Sequence, residues 1–461
     1  MENVKPMPRV LIAGANSGCG KTSITCGILK ALVNRELHIQ SYKCGPDYID
    51  PMLHSHITGR NCRNLDPFFS TGEDLRYLVG KDSQDVDFSV TEGVMGYYDG
   101  VGISCEKSTW TVSKETGTPT ILIFNVKGMS HTMIPLIKGM VEYQDNPIAG
   151  VILNRCSKGM YQLMKPEIEE KLGISVVGYF PQKEGIYIGS RHLGLMTAAE
   201  IDNLDEILSL LGETAEECID LEIDEILKLA ADAPEVQVAE PQISFHLEKP
   251  VRIGVAEDEA FCFYYKENLE ILEQLGAELC YFSPVNDVQL PEDTDGIYLG
   301  GGYPETYRKE LAENLSMKES ICEAAKAGKP IIAECGGFMY VCNHLVETDD
   351  SSMDMLGLID TDVHMTKRLS MQFGYVTLNA LCDTAFFKKN TNIRAHEFHY
   401  SKADKRGDSC EIKKYSGKCW NGLYVKENIM AGYPHFYFHN CREVAERFVD
   451  MAEKISKNLS M

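Results

Sequence analysis

The chain alternates short runs of β-branched and other apolar residues with stretches whose apolar positions recur every three or four residues. In the first half, "RVLIAGA", "HIQSYKC", "VDFSVTEG", "TPTILIFNVKG", "PIAGVILNRC" and "ISVVGYF" read as strands buried on both faces. Between them, residues 22–34 and 132–143 carry a helical period. Strands alternating with helices predict an α/β fold with a parallel sheet covered by helices.

Residues 203–232 are acidic and helical in pattern, and "APEVQVAEPQISFHLEKP" follows with three prolines and little period, as a linker would. A second alternating series begins at "VRIGVAED" and runs through a helix around "NLEILEQLGA" to "DGIYLGGGYPE" and "KPIIAECGG". A chain of 461 residues exceeds one ordinary core. The expected division is a first domain over 1–235, a linker over 236–249 and a second domain over 250–461.

Composition narrows the class. A net charge of −23, with 44% hydrophobic and 25% charged residues, describes a globular protein without broad attraction for nucleic acid or anionic membranes. No apolar run approaches the roughly 18–20 residues of a membrane helix. The opening "MENVKPMPRVLIAGA" lacks the pattern of a signal peptide, so a cytoplasmic location is expected. Sixteen scattered cysteines without a CxxC pair signal neither a zinc site nor a redox dithiol.

"ANSGCGKT", residues 15–22, fits a phosphate-binding loop with alanine where the strict pattern has its first glycine. It follows a strand and precedes a helix. The expected nucleotide-binding positions are Asn16, Gly18, Cys19, Gly20, Lys21 and Thr22. Backbone N–H groups would wrap the phosphates of ATP, Lys21 would neutralise the outer ones, and the Thr22 hydroxyl would ligate Mg2+. Asp47, Asp50, Glu92 and Asp99 lie just past strands, where open α/β sheets gather their ligands. Asp47 and Glu92 are the expected magnesium ligands beside Thr22, and Asp50 and Asp99 are expected to orient substrate. Lys43 would face an anionic substrate. Turn formation or helix capping is the plainer alternative for Asp50 and Asp99.

In "KPIIAECGGFMY" a strand ends in Cys-Gly-Gly, which permits a tight elbow presenting Cys335 as a nucleophile. Such a thiol needs an imidazole, and "AGYPHFYFHN" supplies His435 and His439 on one face of a late strand, so spacing does not choose between them. Gly301 and Gly302 in "YLGGGYPE" are expected to offer N–H groups to an oxyanion. A buried structural cysteine is the alternative.

These residues reach a known pattern. "GGGYPE", "AECGGFMY" and "GYPHFYFHN" resemble class I glutamine amidotransferase domains of the cobalamin-pathway type, and the N-terminal half resembles the dethiobiotin-synthetase-like ATP-binding fold. With "KCGPDYIDP", "NLDPFF", "TEGVMGYYDG", "SRHLGL" and "HEFHYS", the chain resembles the cobyrinate a,c-diamide synthase family from about residue 9 to about residue 440. The resemblance implies that glutamine is hydrolysed at Cys335 with His435 as its histidine. ATP then phosphorylates a peripheral carboxylate of a tetrapyrrole, and ammonia displaces the phosphate, first at the c acetate and then at the a acetate. The implied partners are L-glutamine and a tetrapyrrole polycarboxylate such as cobyrinate, with no nucleic acid or membrane; a homodimer is left open. Where many class I amidotransferases place a glutamate, two residues after the histidine, this chain has Tyr437, so the group that orients His435 is unassigned. Arg191 and His192 match a family signature without a derived role. Residues 394–401 ("RAHEFHYS") read as a packed strand, with His396, Glu397 and His399 outside the catalytic set. Competing readings are amidation of nickel sirohydrochlorin or another corrinoid precursor, and a regulatory P-loop ATPase with an inactive amidotransferase-like appendage.

Overall fold

The computed structural model of the protein describes residues 8–82, 85–183, 185–186, 190–191, 194–195, 201–219, 226, 228–231, 233–234, 245, 247–367 and 372–459. Most of the expected linker, and His192 of the unexplained signature, lie outside the described residues. The chain divides into two compact units, Met1–Glu240 and Pro241–Met461.

The apolar runs of the first half form a seven-stranded sheet. Its strands are β1 (Arg9–Gly14), β2 (Ile39–Cys44), β3 (Arg63–Leu65), β4 (Phe88–Glu92), β5 (Thr120–Asn125), β6 (Ile148–Asn154) and β7 (Ser175–Phe180). They lie in the order β3-β2-β4-β1-β5-β6-β7 with every pairing parallel. Strands covered on both faces need apolar side chains at every position, which is why these runs do not alternate. β3 has three residues and carried too little pattern to be read beforehand.

Helices α1 (Lys21–Asn34) and α2 (Ile49–Thr58) follow β1 and β2 directly, and α3 (Leu204–Cys218) comes from the acidic segment. Leu204, Leu208, Leu211 and Ala215 of α3 share one core with Ile24 and Ile28 of α1. The helices approach closely because Gly27 has no side chain: a Cβ there would sit 2.9 Å from the carbonyl oxygen of Leu211. Arg35 and Glu216 join the two ends at 2.7 Å. The acidic segment, which carries no motif, thus buttresses the helix that follows the phosphate-loop sequence.

The second unit is built on β8 (Val251–Ala256), β9 (Ala277–Phe282), β10 (Gly296–Leu299), β11 (Ile331–Glu334), β13 (Tyr424–Lys426) and β14 (Ile429–Gly432). Their order is β9-β8-β10-β11-β14-β13, parallel except for the final antiparallel pair. The closing helix α5 (Arg442–Leu459) buries Val444, Phe448 and Val449 in the same core as Val251, Ile253 and Tyr298. Between Cys342 and Gly422 the chain forms short strands in two further, partly antiparallel sheets. One includes β12 (Asn392–Glu397), which pairs with the two-residue strand β15 (His435–Phe436). The expected late strand therefore stops at Phe436, and alternation does not extend to His439.

Among the described residues no helix is long and apolar enough to cross a membrane. All sixteen cysteines are free thiols.

Candidate functional site

In the first unit, β1 ends at Gly14 and the loop 15–20 turns into α1 with Gly18 and Gly20 at φ +73° and +99°. These are conformations that side-chain-bearing residues avoid. Cys19 is fully buried, and its thiol occupies the space a Cβ on Gly14 would take. Its side chain belongs to the core, so only its backbone is placed to meet a phosphate. Asn154, at the end of β6, donates its amide to the Cys19 carbonyl at 2.6 Å and fills the space beside Gly20. The Lys21 amine donates to the Met95 carbonyl at 2.6 Å, and burial lowers its pKa. The Asn16 side-chain amide donates to the Ser17 carbonyl at 2.9 Å, and the Asn16 carbonyl accepts from the Lys21 amine at 3.5 Å.

The carboxylates converge because of sheet register: Lys43 of β2 stands opposite Glu92 of β4. Oγ1 of Thr22 lies 2.9 Å from Oε1 of Glu92 and 3.3 Å from Oδ2 of Asp50. The Lys43 amine donates to Glu92 at 2.9 Å and also to Asp50. On the far side of Glu92, Nε2 of His54 is 2.9 Å from Oε2, and Nδ1 of His54 is 3.6 Å from the Cys62 thiol. Burial disfavours the charge on Glu92, but Lys43 and His54 hold its pKa well below the usual carboxylate range. Burial and then Glu92 push Asp50 up to about 7, against the pull of Lys43. Burial opposes the Lys43 charge, yet Asp50 and Glu92 raise its pKa well above that of an ordinary lysine.

Two expectations shift here. Asp47, named as a magnesium ligand, turns Oδ1 to the amides of Ile49 and Asp50 at 2.9 and 3.1 Å, capping α2. Asp50, named for substrate, is the acid that reaches Thr22. Asp99 is exposed and closes its turn by accepting from the Gly96 amide at 2.9 Å. The oxygens of Thr22, Asp50 and Glu92 fit a hard divalent cation. Among the described residues no three His, Cys, Asp or Glu side chains gather in a metal-ligating array, so phosphate and water would complete such a shell.

In the second unit, Cys335 sits between β11 and the short helix α4 (Gly336–Val341) at φ +48°, ψ −98°. The elbow needs both glycines. A Cβ on Gly337 would strike Leu299 of β10, and one on Gly336 would press within 3.0 Å of the Gly302 amide nitrogen. The Gly302 amide nitrogen thus lies beside the first residue after the thiol. Gly301 does not: its amide donates to the Phe263 carbonyl at 3.3 Å. The sequence expected an oxyanion donor at Gly301, but its value is spatial, since a side chain there would collide with the His435 ring.

His435 is almost fully buried against Cys335. Burial opposes its charge, yet Cys335 and Glu334 together raise its pKa to about 10. His439 instead stacks its ring on Tyr437, 5.5 Å between centroids. Two features escaped the sequence. Glu334, the residue before the thiol, points Oε2 at Nδ1 of His435 from 3.7 Å. The segment 394–401, set aside as a packed strand, borders the thiol: Cys335 donates to the Phe398 carbonyl at 3.8 Å, and His396 pairs with His435 across the strands. His399 stacks on Tyr433 at 3.6 Å. Arg191 belongs to a two-residue strand, and its role stays unassigned.

Comparison with known proteins matches residues 10–193 to the CobQ/CobB/MinD/ParA nucleotide binding domain. Residues 252–443 match the CobB/CobQ-like glutamine amidotransferase domain. The cobyrinate a,c-diamide synthase of Clostridium tetani is 42% identical over 440 residues, covering 94% of this chain and 97% of that protein. The proteins of the same name from Priestia megaterium and Caldanaerobacter subterraneus are 37% and 38% identical, covering 97% of this chain and 98% and 99% of theirs.

Proposed function

Because the chain belongs to the cobyrinate a,c-diamide synthase family, whose members are glutamine-dependent amide ligases, we propose that it amidates the a- and c-acetate carboxylates of cobyrinate with ATP and glutamine. The observation that carries this reading is the 42% identity to the Clostridium tetani synthase over nearly the whole of both chains.

The geometry supplies a route. In the second unit Cys335 attacks the glutamine carboxamide, with the His435 imidazolium giving its proton to the departing ammonia. The Gly302 amide steadies the oxyanion, and water then releases glutamate from the thioester. In the first unit the amides of loop 15–20 and the Lys21 amine hold the ATP phosphates. Mg2+, held by Thr22, Glu92 and Asp50, neutralises phosphate charge when bound. Asp47 is left as a helix cap and Asp99 faces the substrate side, while Lys43, expected to meet an anionic substrate, is buried and instead holds Glu92 and Asp50 in place. An acetate oxygen of the tetrapyrrole attacks the terminal phosphorus and ADP leaves. Ammonia then attacks the acyl carbon, and phosphate departs to leave the amide.

The test is direct. Cobyrinate and nickel sirohydrochlorin are each offered with ATP, magnesium and glutamine, and the products are weighed. Two additions of an amide to cobyrinate are expected, with the singly amidated form appearing first. Amidation of nickel sirohydrochlorin alone would move the substrate, and ATP hydrolysis without any amide would overturn the reading.

A further inference from the structure

We propose that Glu334 is the positioning residue for His435, so that the acid and the nucleophile of one relay are adjacent in sequence. The assignment rests on the proposed glutamine hydrolysis at Cys335, and adds to it a group placed by this structure.

Glu334 is 2% exposed, a burial rarely found for a carboxylate without partners. Its two oxygens divide their work. Oε1 accepts from the Tyr298 hydroxyl at 3.1 Å and from the Phe436 amide at 3.3 Å. Those bonds tie the carboxylate to β10 and to the residue after His435. Oε2 is left facing Nδ1 of the imidazole at 3.7 Å. That length exceeds a formed hydrogen bond, but acid–base pairs in ligand-free sites commonly tighten only when substrate binds.

The elbow explains how neighbours in sequence reach opposite sides of one ring. Along β11 the side chain of Glu334 enters the sheet core beside Tyr298. The positive φ of Cys335 then turns the next side chain away from the alternation of the strand. The imidazole therefore has the thiol as one neighbour and the carboxylate as the other. A carboxylate at Nδ1 fixes the orientation of the ring and stabilises the imidazolium that gives its proton to the departing ammonia. Tyr437, two residues past the histidine, is buried and packs its ring edge-to-face on Tyr265, 5.2 Å between centroids. It offers no carboxylate at the position where many class I amidotransferases carry one.

The groups around the pair are few. His435 is faced by Cys335, by Glu334 and by His396 of β12, and burial keeps His396 neutral with its pKa near 3. Glu334 is faced by His435, Tyr298, Tyr264 and Cys441. Burial raises its pKa, and the His435 imidazole beside it is the largest opposing influence.

The test compares full-length wild type with Glu334→Gln and Glu334→Asp. Three quantities are read: kcat and KM for glutamine hydrolysis across pH, the pH midpoint for alkylation of Cys335 by iodoacetamide (located by peptide mass spectrometry), and thermal melting. Glu334→Gln is expected to lower kcat about 100-fold with KM changed less than about threefold, and to move the alkylation midpoint to higher pH. Glu334→Asp, which keeps the charge one methylene further away, is expected to recover about tenfold of the loss. A Glu334→Gln chain with wild-type kcat and an unmoved midpoint overturns the assignment. So does a loss of kcat in both variants without any movement of the midpoint, which is what a purely structural role would give. If Glu334→Gln does not melt cooperatively, Glu334→Asp decides: a lowered kcat with a shifted midpoint supports the assignment, and wild-type values reject it. Absence of glutamine hydrolysis in the wild type would instead remove the reading on which the assignment stands.

Discussion

The Thr22 hydroxyl and the Glu92 carboxylate lie 2.9 Å apart although 70 positions separate them in the chain. One opens α1 after β1, and the other ends β4, the strand hydrogen-bonded beside β1. Parallel pairing brings both to the carboxyl edge of the sheet, and the order β2-β4-β1 adds Lys43 from the next strand. Several consequences for activity can be measured.

Replacing Glu92 with glutamine removes the carboxylate that bonds both Lys43 and His54. Tetrapyrrole amidation with added ammonia is expected to fall about 100-fold or more. Because the buried Lys43 amine loses one of its two counter-charges, the first unit should also lose on the order of 3 kcal/mol of stability. Glutamine hydrolysis, which uses residues of the other unit, should survive. An intact amidation rate would remove Glu92 from the site.

Cys335→Ser should abolish the use of glutamine and leave amidation with ammonium salts close to the wild-type rate. Product formation from both nitrogen sources measures the separation. A folded variant that ammonia does not rescue would show that the two units do not divide the work as proposed.

Lys21→Ala removes the amine that reaches the Met95 carbonyl beside the loop. A phosphate contact made in both ground and transition states raises KM, and one made only in the transition state lowers kcat. The expectation is a loss in kcat/KM for ATP of about 100-fold, carried by both parameters, with glutamine hydrolysis unchanged. Initial rates over a range of ATP concentrations check it.

Gly301→Ala puts a methyl group where the His435 ring stands. Glutamine hydrolysis should drop about 100-fold through displacement of the imidazole. Ammonia-dependent amidation should persist. Unchanged glutamine hydrolysis would mean that the ring does not need its present place.

The imidazolium of His435 has a folded-state pKa of about 10 against an ordinary 6.5. A raised pKa means that the folded state holds the proton more tightly. The resulting stabilisation is complete below pH 6.5 and is lost as pH rises through about 10. In Cys335→Ser the sulfur whose influence raises it is gone, so the His435 pKa should fall. NMR titration of the ring reads the shift, and urea midpoints between the two pH limits should decline less in the variant than in the wild type.

Much of this arrangement was legible beforehand. Unbroken apolar runs announced the central strands, and glycine-rich turns after two of them marked the phosphate loop and the thiol elbow. What escaped was set by register and by long-range packing. Asn154 and His54 sit in segments without a motif and Glu334 inside one whose chemistry was read at the neighbouring thiol, and each becomes informative only beside Cys19, Glu92 or His435. A polar residue closing an apolar strand was the one available signal for Asn154 and Glu334. Apart from the strand read at residues 394–401, the short strands between Cys342 and Gly422 were missed because three to seven residues leave little period to read. Asp47 turns to the helix and Asp50 reaches Thr22 because a carboxylate three residues ahead of another can cap the helix that carries the second.

The dihedral angles of Cys335 have an implication for inheritance. A side chain held at φ +48°, ψ −98° costs on the order of 1–3 kcal/mol that a glycine would not. Selection for a sturdier fold alone would favour losing the sulfur. Its presence at so uncomfortable a backbone position agrees with the nucleophilic role proposed for it. A descendant released from glutamine use would be expected to drift toward glycine at 335 and to melt at a higher temperature than its parent.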